Sequence, residues 1–168
     1  MRSAHERVPR RWSVLPLALA PVITLAGCWS SGDSAGPAVP SPSGKAAGAC
    51  RALHGELPGR VNAEDRAELD PASKYTAAWG DPAIELRCGV PRPEVLTPGS
   101  EHYNPLADQA EVNGVHWLIE PRDGGYRFTA TGRDAFVEVT VPDDYAPEIG
   151  ALPDLAKALR ASVPKTEK

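Results

Sequence analysis

An α+β fold, with a mainly antiparallel sheet of about five strands between a short N-terminal helix and a short C-terminal helix, follows from three observations. The last third of the chain holds three strand-like runs, VHWLIE, YRFTAT and AFVEVTV, separated by Pro121-Arg122-Asp123-Gly124-Gly125 and Gly132-Arg133-Asp134, which have the composition of tight turns. Apolar residues recur at helical spacing near residue 50 and again near residue 155. Eighteen Pro and fifteen Gly among 168 residues, without a collagen-like period, favour turns and short elements over a bundle of long helices. The length, with 42% hydrophobic and 24% charged residues, suits one globular domain.

The elements follow in chain order. Residues 1–12 are basic, and Ser13–Gly27 form an apolar run of fifteen residues interrupted by Pro16 and Pro21. About 20 apolar residues are needed to span a bilayer, so 1–27 are expected to be an export signal and not a membrane helix. Leu25-Ala26-Gly27-Cys28 resembles the lipobox of bacterial lipoproteins. That resemblance implies cleavage before Cys28 and attachment of diacylglycerol to its thiol, so that membrane lipid is the first expected partner. Residues 28–48 are rich in Ser, Gly, Ala and Pro and are expected to be a flexible linker with a root-mean-square span of about 25 Å. The globular domain is expected at 49–164, with 165–168 as a tail.

Ala46, Ala49, Cys50, Leu53 and Leu57 share one helical face. Leu57-Pro58-Gly59 stops that helix, and Val61–Ser73, carrying Glu64, Asp65, Glu68 and Asp70, is expected to be a solvated excursion. A strand over Lys74–Trp79 ends at Gly80-Asp81-Pro82, and in the next, Ala83–Cys88, the residues Ile84, Leu86 and Cys88 alternate with polar ones. Both cysteines therefore face the core. In a compartment outside the cytoplasm Cys50 and Cys88 can form a bridge closing about 38 residues, worth roughly 4 kcal/mol in the chain-entropy account. Two free buried thiols, or a redox pair lacking C-x-x-C spacing, are the alternatives.

Pro91, Pro93, Pro98 and Pro105 mark an irregular loop to about Asp108, with no pattern that would bury it. The three final strands form a meander with one dry and one wet face. Val115, Trp117 and Ile119 share a side, as do Tyr126, Phe128 and Ala130, and then Val137, Val139 and Val141. Pro153 opens the closing helix, with Leu155, Ala156 and Leu159 inward.

The stretches Tyr75-Thr76-Ala77-Ala78-Trp79-Gly80-Asp81-Pro82, Leu86-Arg87-Cys88-Gly89-Val90-Pro91-Arg92-Pro93 and Val112-Asn113-Gly114-Val115, together with the lipobox, resemble the domain-of-unknown-function 3515 family of actinobacterial lipoproteins. The resemblance implies export and membrane anchoring, and it brings no catalytic residues, ligand or activity.

Charge narrows the function. Of 18 basic and 22 acidic residues, the first 27 positions hold Arg2, Arg7, Arg10, Arg11 and Glu6, leaving 14 basic against 21 acidic. A net charge of −7 beyond the leader argues against nucleic acid as a partner. Three histidines remain, His54, His102 and His116, but no G-x-S-x-G elbow accompanies them. His102, Asp108 and His116 match no zinc spacing, and the acidic residues between 64 and 70 read as surface rather than as a catalytic pair. No cofactor or metal is implied. Trp79 reads first as a core side chain at its strand end, with Asp81 accepting backbone hydrogen bonds within the turn. The alternative makes Trp79, Asp81, Arg92 and Tyr103 a candidate binding surface, Trp79 with Tyr75 or Tyr103 offering an aromatic platform, flanked by Arg87 and Arg92, which are expected to pair with local carboxylates. The expectation is a non-enzymatic, membrane-anchored extracytoplasmic module that binds an envelope protein or a cell-wall component. The rival is an enzyme acting on wall material with one of the three histidines as base.

Overall fold

The computed structural model describes residues 36–167; the expected leader, Cys28 and residues 29–35 of the expected linker lie outside the described residues. The described chain is α+β. It has helix α1 (Gly44–Glu56), strands β1 (Arg60–Val61), β2 (Glu64–Ala67), β3 (Thr76–Trp79), β4 (Ile84–Val90), β5 (Gln109–Val112), β6 (Val115–Arg122), β7 (Gly125–Thr131) and β8 (Phe136–Pro142), and helix α2 (Leu152–Ser162). All eight strands join one antiparallel sheet in the order β1-β2-β3-β4-β8-β7-β6-β5.

The sheet thus consists of two four-stranded meanders placed back to back, with β4 against β8 at the seam. The five expected strands are β3, β4, β6, β7 and β8. The three beyond them are short and half exposed: β1 and β2 lie inside the acidic stretch expected to be a solvated excursion, and β5 is the edge strand Gln109–Val112. Tight turns, not hydrophobic alternation, specify these strands. Asn62 and Ala63 join β1 to β2, and Asn113 and Gly114 join β5 to β6, all four at positive φ as two-residue hairpins of the primed type require.

One face of the sheet is dry. Leu86 and Cys88 of β4, Val137, Val139 and Val141 of β8, Phe128 and Ala130 of β7, and Val115 and Trp117 of β6 meet Cys50 and Leu53 of α1 and Leu155, Ala156 and Leu159 of α2 in a single core. Each fully buried aliphatic side chain there contributes about 1.5–3 kcal/mol. The expected bridge is present: Cys50 of α1 and Cys88 of β4 form a disulfide, with Cα atoms 5.5 Å apart.

Two expectations about the chain outside the strands are corrected. Gly44–Gly48, assigned to the linker, are the first turn of α1. Before it, Pro37 and Pro40 are buried, and the Ala38 carbonyl accepts a hydrogen bond from Arg87 Nε at 2.8 Å, so 36–43 is a packed strap. The strap is admitted by Gly89, the β4 bulge residue at φ 85°, where a Cβ would come within 2.5 Å of Pro42. The Pro-rich connection from 91 to 108 is irregular and, as expected, has no buried residue of its own, yet it lies on the sheet. It crosses the sheet face opposite the helices, forms a 3-10 turn at Glu94–Leu96, and covers Leu118, which is fully buried in a hollow with Val95, Asn104 and Ala107.

Candidate functional site

The connection between β4 and β5 covers only part of that second sheet face. Beside it lies an open groove of about 640 Å³, within the 300–1,000 Å³ usual for ligand sites. Its floor is built by strand alternation. Arg87 of β4, Glu138 of β8, Arg127 of β7 and Glu120 and Arg122 of β6 are polar partners of the residues that fill the core on the other side, and Pro91–Val95 with His102 form the wall.

Register turns these residues into a charge ladder. Arg87 lies opposite Glu138 across β4 and β8, and Arg127 opposite Glu120 across β7 and β6. Arg87 Nη1 donates to Glu138 Oε1 at 3.0 Å, and Arg127 Nε and Nη2 donate to Glu120 Oε2 and Oε1 at 3.0 and 2.8 Å. Arg127 Nη1 lies 3.7 Å from Glu138 Oε2 and Arg122 Nη2 lies 3.4 Å from Glu120 Oε1, closing the chain Arg87, Glu138, Arg127, Glu120, Arg122. The Glu138 and Glu120 side chains are only 11% and 19% exposed, so these contacts are less screened than ordinary surface pairs. Glu85, two residues before Arg87, has its carboxyl pushed above the usual range by burial, with the charge of Glu138 adding and that of Arg87 opposing.

Of the four residues of the candidate binding surface only Arg92 lines the groove, together with the flanking Arg87 and the candidate base His102. Arg92 Nε and Nη2 both donate to the Leu96 carbonyl, at 3.1 and 2.9 Å, and its guanidinium lies 6.0 Å from the centre of the Phe136 ring. Trp79 must be removed from the binding surface: it is 0% exposed, and its indole N–H donates to the Pro58 carbonyl at 3.1 Å. The reason is that β3 is an inner strand, so all four of its residues are buried. Asp81 sits in the turn after β3, and Tyr103 is an exposed side chain of the 91–108 connection; neither is among the groove residues. Tyr75 packs against the core edge with its hydroxyl taking a hydrogen bond from Arg51 Nη1 at 3.3 Å. No aromatic platform is assembled from Trp79, Tyr75 and Tyr103.

The three histidines go to three places. His102 Nε2 lies 3.7 Å from Glu94 at the groove wall, and His116 Nε2 lies 3.4 Å from Glu111 on the β5–β6 hairpin. His54 of α1 faces a cation: Arg66 Nη2 approaches its Nε2 at 3.2 Å while also lying 5.8 Å from the Trp79 ring centre. Burial, Arg66 and Lys74 together hold the His54 pKa below its ordinary 6.5. Among the described residues, no group of three His, Cys, Asp or Glu side chains could hold a metal ion, and no helix is long and apolar enough to cross a membrane. Of the acidic stretch, Asp65 pairs with Arg60 at 3.1 Å on an exposed hairpin.

Sequence reasoning missed Glu120, Arg122, Arg127 and Glu138. For Glu120, Arg127 and Glu138 the signal was present in the alternation, since each occupies a wet-face position of an expected strand, but only the register brings opposite charges into contact. Arg122 was assigned to the turn 121–125, whereas β6 continues through it.

A family model described as a protein of unknown function, DUF3515, matches residues 14–168. No curated protein and no solved structure matches the chain.

Proposed function

The chain belongs to the DUF3515 family, and from the Leu25–Cys28 box and the groove we propose that it is a non-enzymatic binding module of the cell envelope, anchored on the extracytoplasmic face through an acylated Cys28. Its ligand, a wall component or an envelope protein, sits in the groove between the charge ladder and the 91–108 wall. One observation carries the site: the groove residues are already held by one another. Each carboxylate of the ladder faces a guanidinium and Arg92 is fixed by a loop carbonyl, which gives a surface preorganised for binding. Among the groove residues the only histidine, His102, is placed against Glu94 and not against a hydroxyl or thiol, so the wall of the groove offers no activated nucleophile.

In-cell photo-crosslinking from a probe at Val95, on the groove wall, tests this. The expected result is a discrete adduct absent when the probe is placed at Lys157 on α2. Equal capture from both positions, or turnover of wall material by the full chain that is lost on changing His54, His102 or His116, would reject it.

A further inference from the structure

Four of the nine arginines beyond residue 27, and no lysine, line the groove, in a sequence whose net charge beyond the leader is acidic. Within that set the hydrogen-bonding capacity is unequal. Both oxygens of Glu120 accept from Arg127, and Glu138 is held by Arg87 on one oxygen and faced by Arg127 on the other. The remaining capacity is on the donors. Among the described residues, Arg87 Nη2, Arg92 Nη1, and Nε and Nη1 of Arg122 donate to no protein acceptor. A ligand entering this groove thus meets spare guanidinium N–H groups on the floor and rim, while Glu94 on the wall, 73% exposed, is the one lining carboxylate that no arginine holds.

We propose that the groove binds an acidic glycopolymer, whose successive oxyanions are taken by Arg87, Arg92 and Arg122. This deepens the binding reading given above and rests on it. Arginine is suited to the task because its planar fork presents paired N–H groups to a carboxylate or phosphate, which lysine does not. The glutamates keep the forks in place: Glu138 orients Arg87, while Glu120 holds Arg127 and draws in Arg122. The arginines on β4, β7 and β6 span three strand spacings, about 14 Å across the sheet. That width suits an oligomer with repeated charges better than one small anion.

The test uses the full chain in detergent micelles with three fluorescent oligomers of equal length, one of poly(glycerol phosphate), one of galacturonate and one of neutral glucose, read by anisotropy. At least one anionic oligomer is expected to bind at least about tenfold more tightly than the neutral one, and which of the two does so identifies the oxyanion as phosphate or carboxylate. Affinity is expected to fall as salt is raised, and Arg122→Gln, at a rim side chain 45% exposed, is expected to weaken it by about tenfold. Arg92→Gln serves as a second variant, with circular dichroism confirming that each folds. Neutral and anionic oligomers binding alike, or both variants binding as the parent does, would overturn the ligand class. If no anion binds but the Val95 probe still captures a discrete adduct, this inference fails and the groove reading stands; if neither occurs, both fail.

Discussion

The side chain of Thr76 illustrates how much one polar atom can cost inside this sheet. It is 2% exposed on the inner strand β3, and its Oγ1 has no hydrogen-bond partner among the described residues. Replacing a hydroxyl that makes no bond with a methyl of the same shape removes a desolvation cost and keeps the β-branched packing, so Thr76→Val is expected to stabilise the protein by about 1 kcal/mol, measured by urea denaturation. His54 gives a second residue-scale expectation, this time in pH. Its pKa is lowered from 6.5 in the folded state by burial and by the facing cations Arg66 and Lys74. Below pH 6.5 the unfolded chain therefore binds a proton that the folded chain resists. The contribution is complete above 6.5 and is lost as the pH falls from there through the folded value. Raised Glu85 acts in the opposite sense at lower pH, so the comparison must be with a variant. Between pH 8 and pH 5.5, His54→Gln is expected to lose less stability than the parent; an equal loss would mean that burial and the cations Arg66 and Lys74 do not hold the histidine neutral.

At the scale of elements, α1 is tied to the sheet by one covalent contact and a modest apolar face. That face consists of Ala47, Ala49, Cys50 and Leu53, three of them small, so packing alone supplies little. The Cys50–Cys88 bridge closes a separation of 38 residues and restricts the unfolded chain by roughly 4 kcal/mol on the entropic account. Replacing both cysteines with Ala is expected to cost about 2–4 kcal/mol in denaturation, with the first exchange-labile amides in α1. The bridge was legible in the sequence because both cysteines fall on apolar faces of well-patterned elements. So were β4, β6, β7 and β8, whose alternation is clear, β3, a short run bounded by Gly80-Asp81-Pro82, and the closing helix with its initial proline. β1, β2 and β5 were not legible, because two to four half-exposed residues carry no readable period and their pairing is set by turns. The charge ladder failed to show for a related reason: Arg87 and Glu138 are 51 residues apart, and nothing in either strand indicates that β4 pairs with β8. Trp79 was open to two readings, since an aromatic at a strand end before Gly-Asp-Pro suits either the core or an exposed platform; the core reading holds, because β2 covers that flank of β3.

For the whole molecule, the strap that precedes α1 changes the expected relation between domain and bilayer. A free linker over 28–48 would let the domain wander by about 25 Å in root-mean-square terms. In the structure, Gly36 lies against Leu69, Ala38 is held by Arg87 and Pro42 rests on Gly89, so the domain begins by Gly36. If Cys28 carries the lipid, eight residues separate it from Gly36, and a fully extended chain of that length reaches no more than about 29 Å. Arg87, which holds the strap through Nε, also forms part of the groove floor through Nη1, so the tether would bound how far from the bilayer the groove can reach. Cys28→Ala is expected to abolish incorporation of a clickable fatty acid and to leave a precursor still carrying residues 1–27; persistent labelling would remove the anchor. With the anchor intact, inserting about twenty Gly/Ser residues after Ser31 is expected to move Val95 crosslinks toward targets farther from the bilayer while leaving the denaturation midpoint unchanged, since the insertion precedes the strap 36–43 and its described contacts. An unchanged set of crosslinked targets would show that tether length does not determine what the groove can reach.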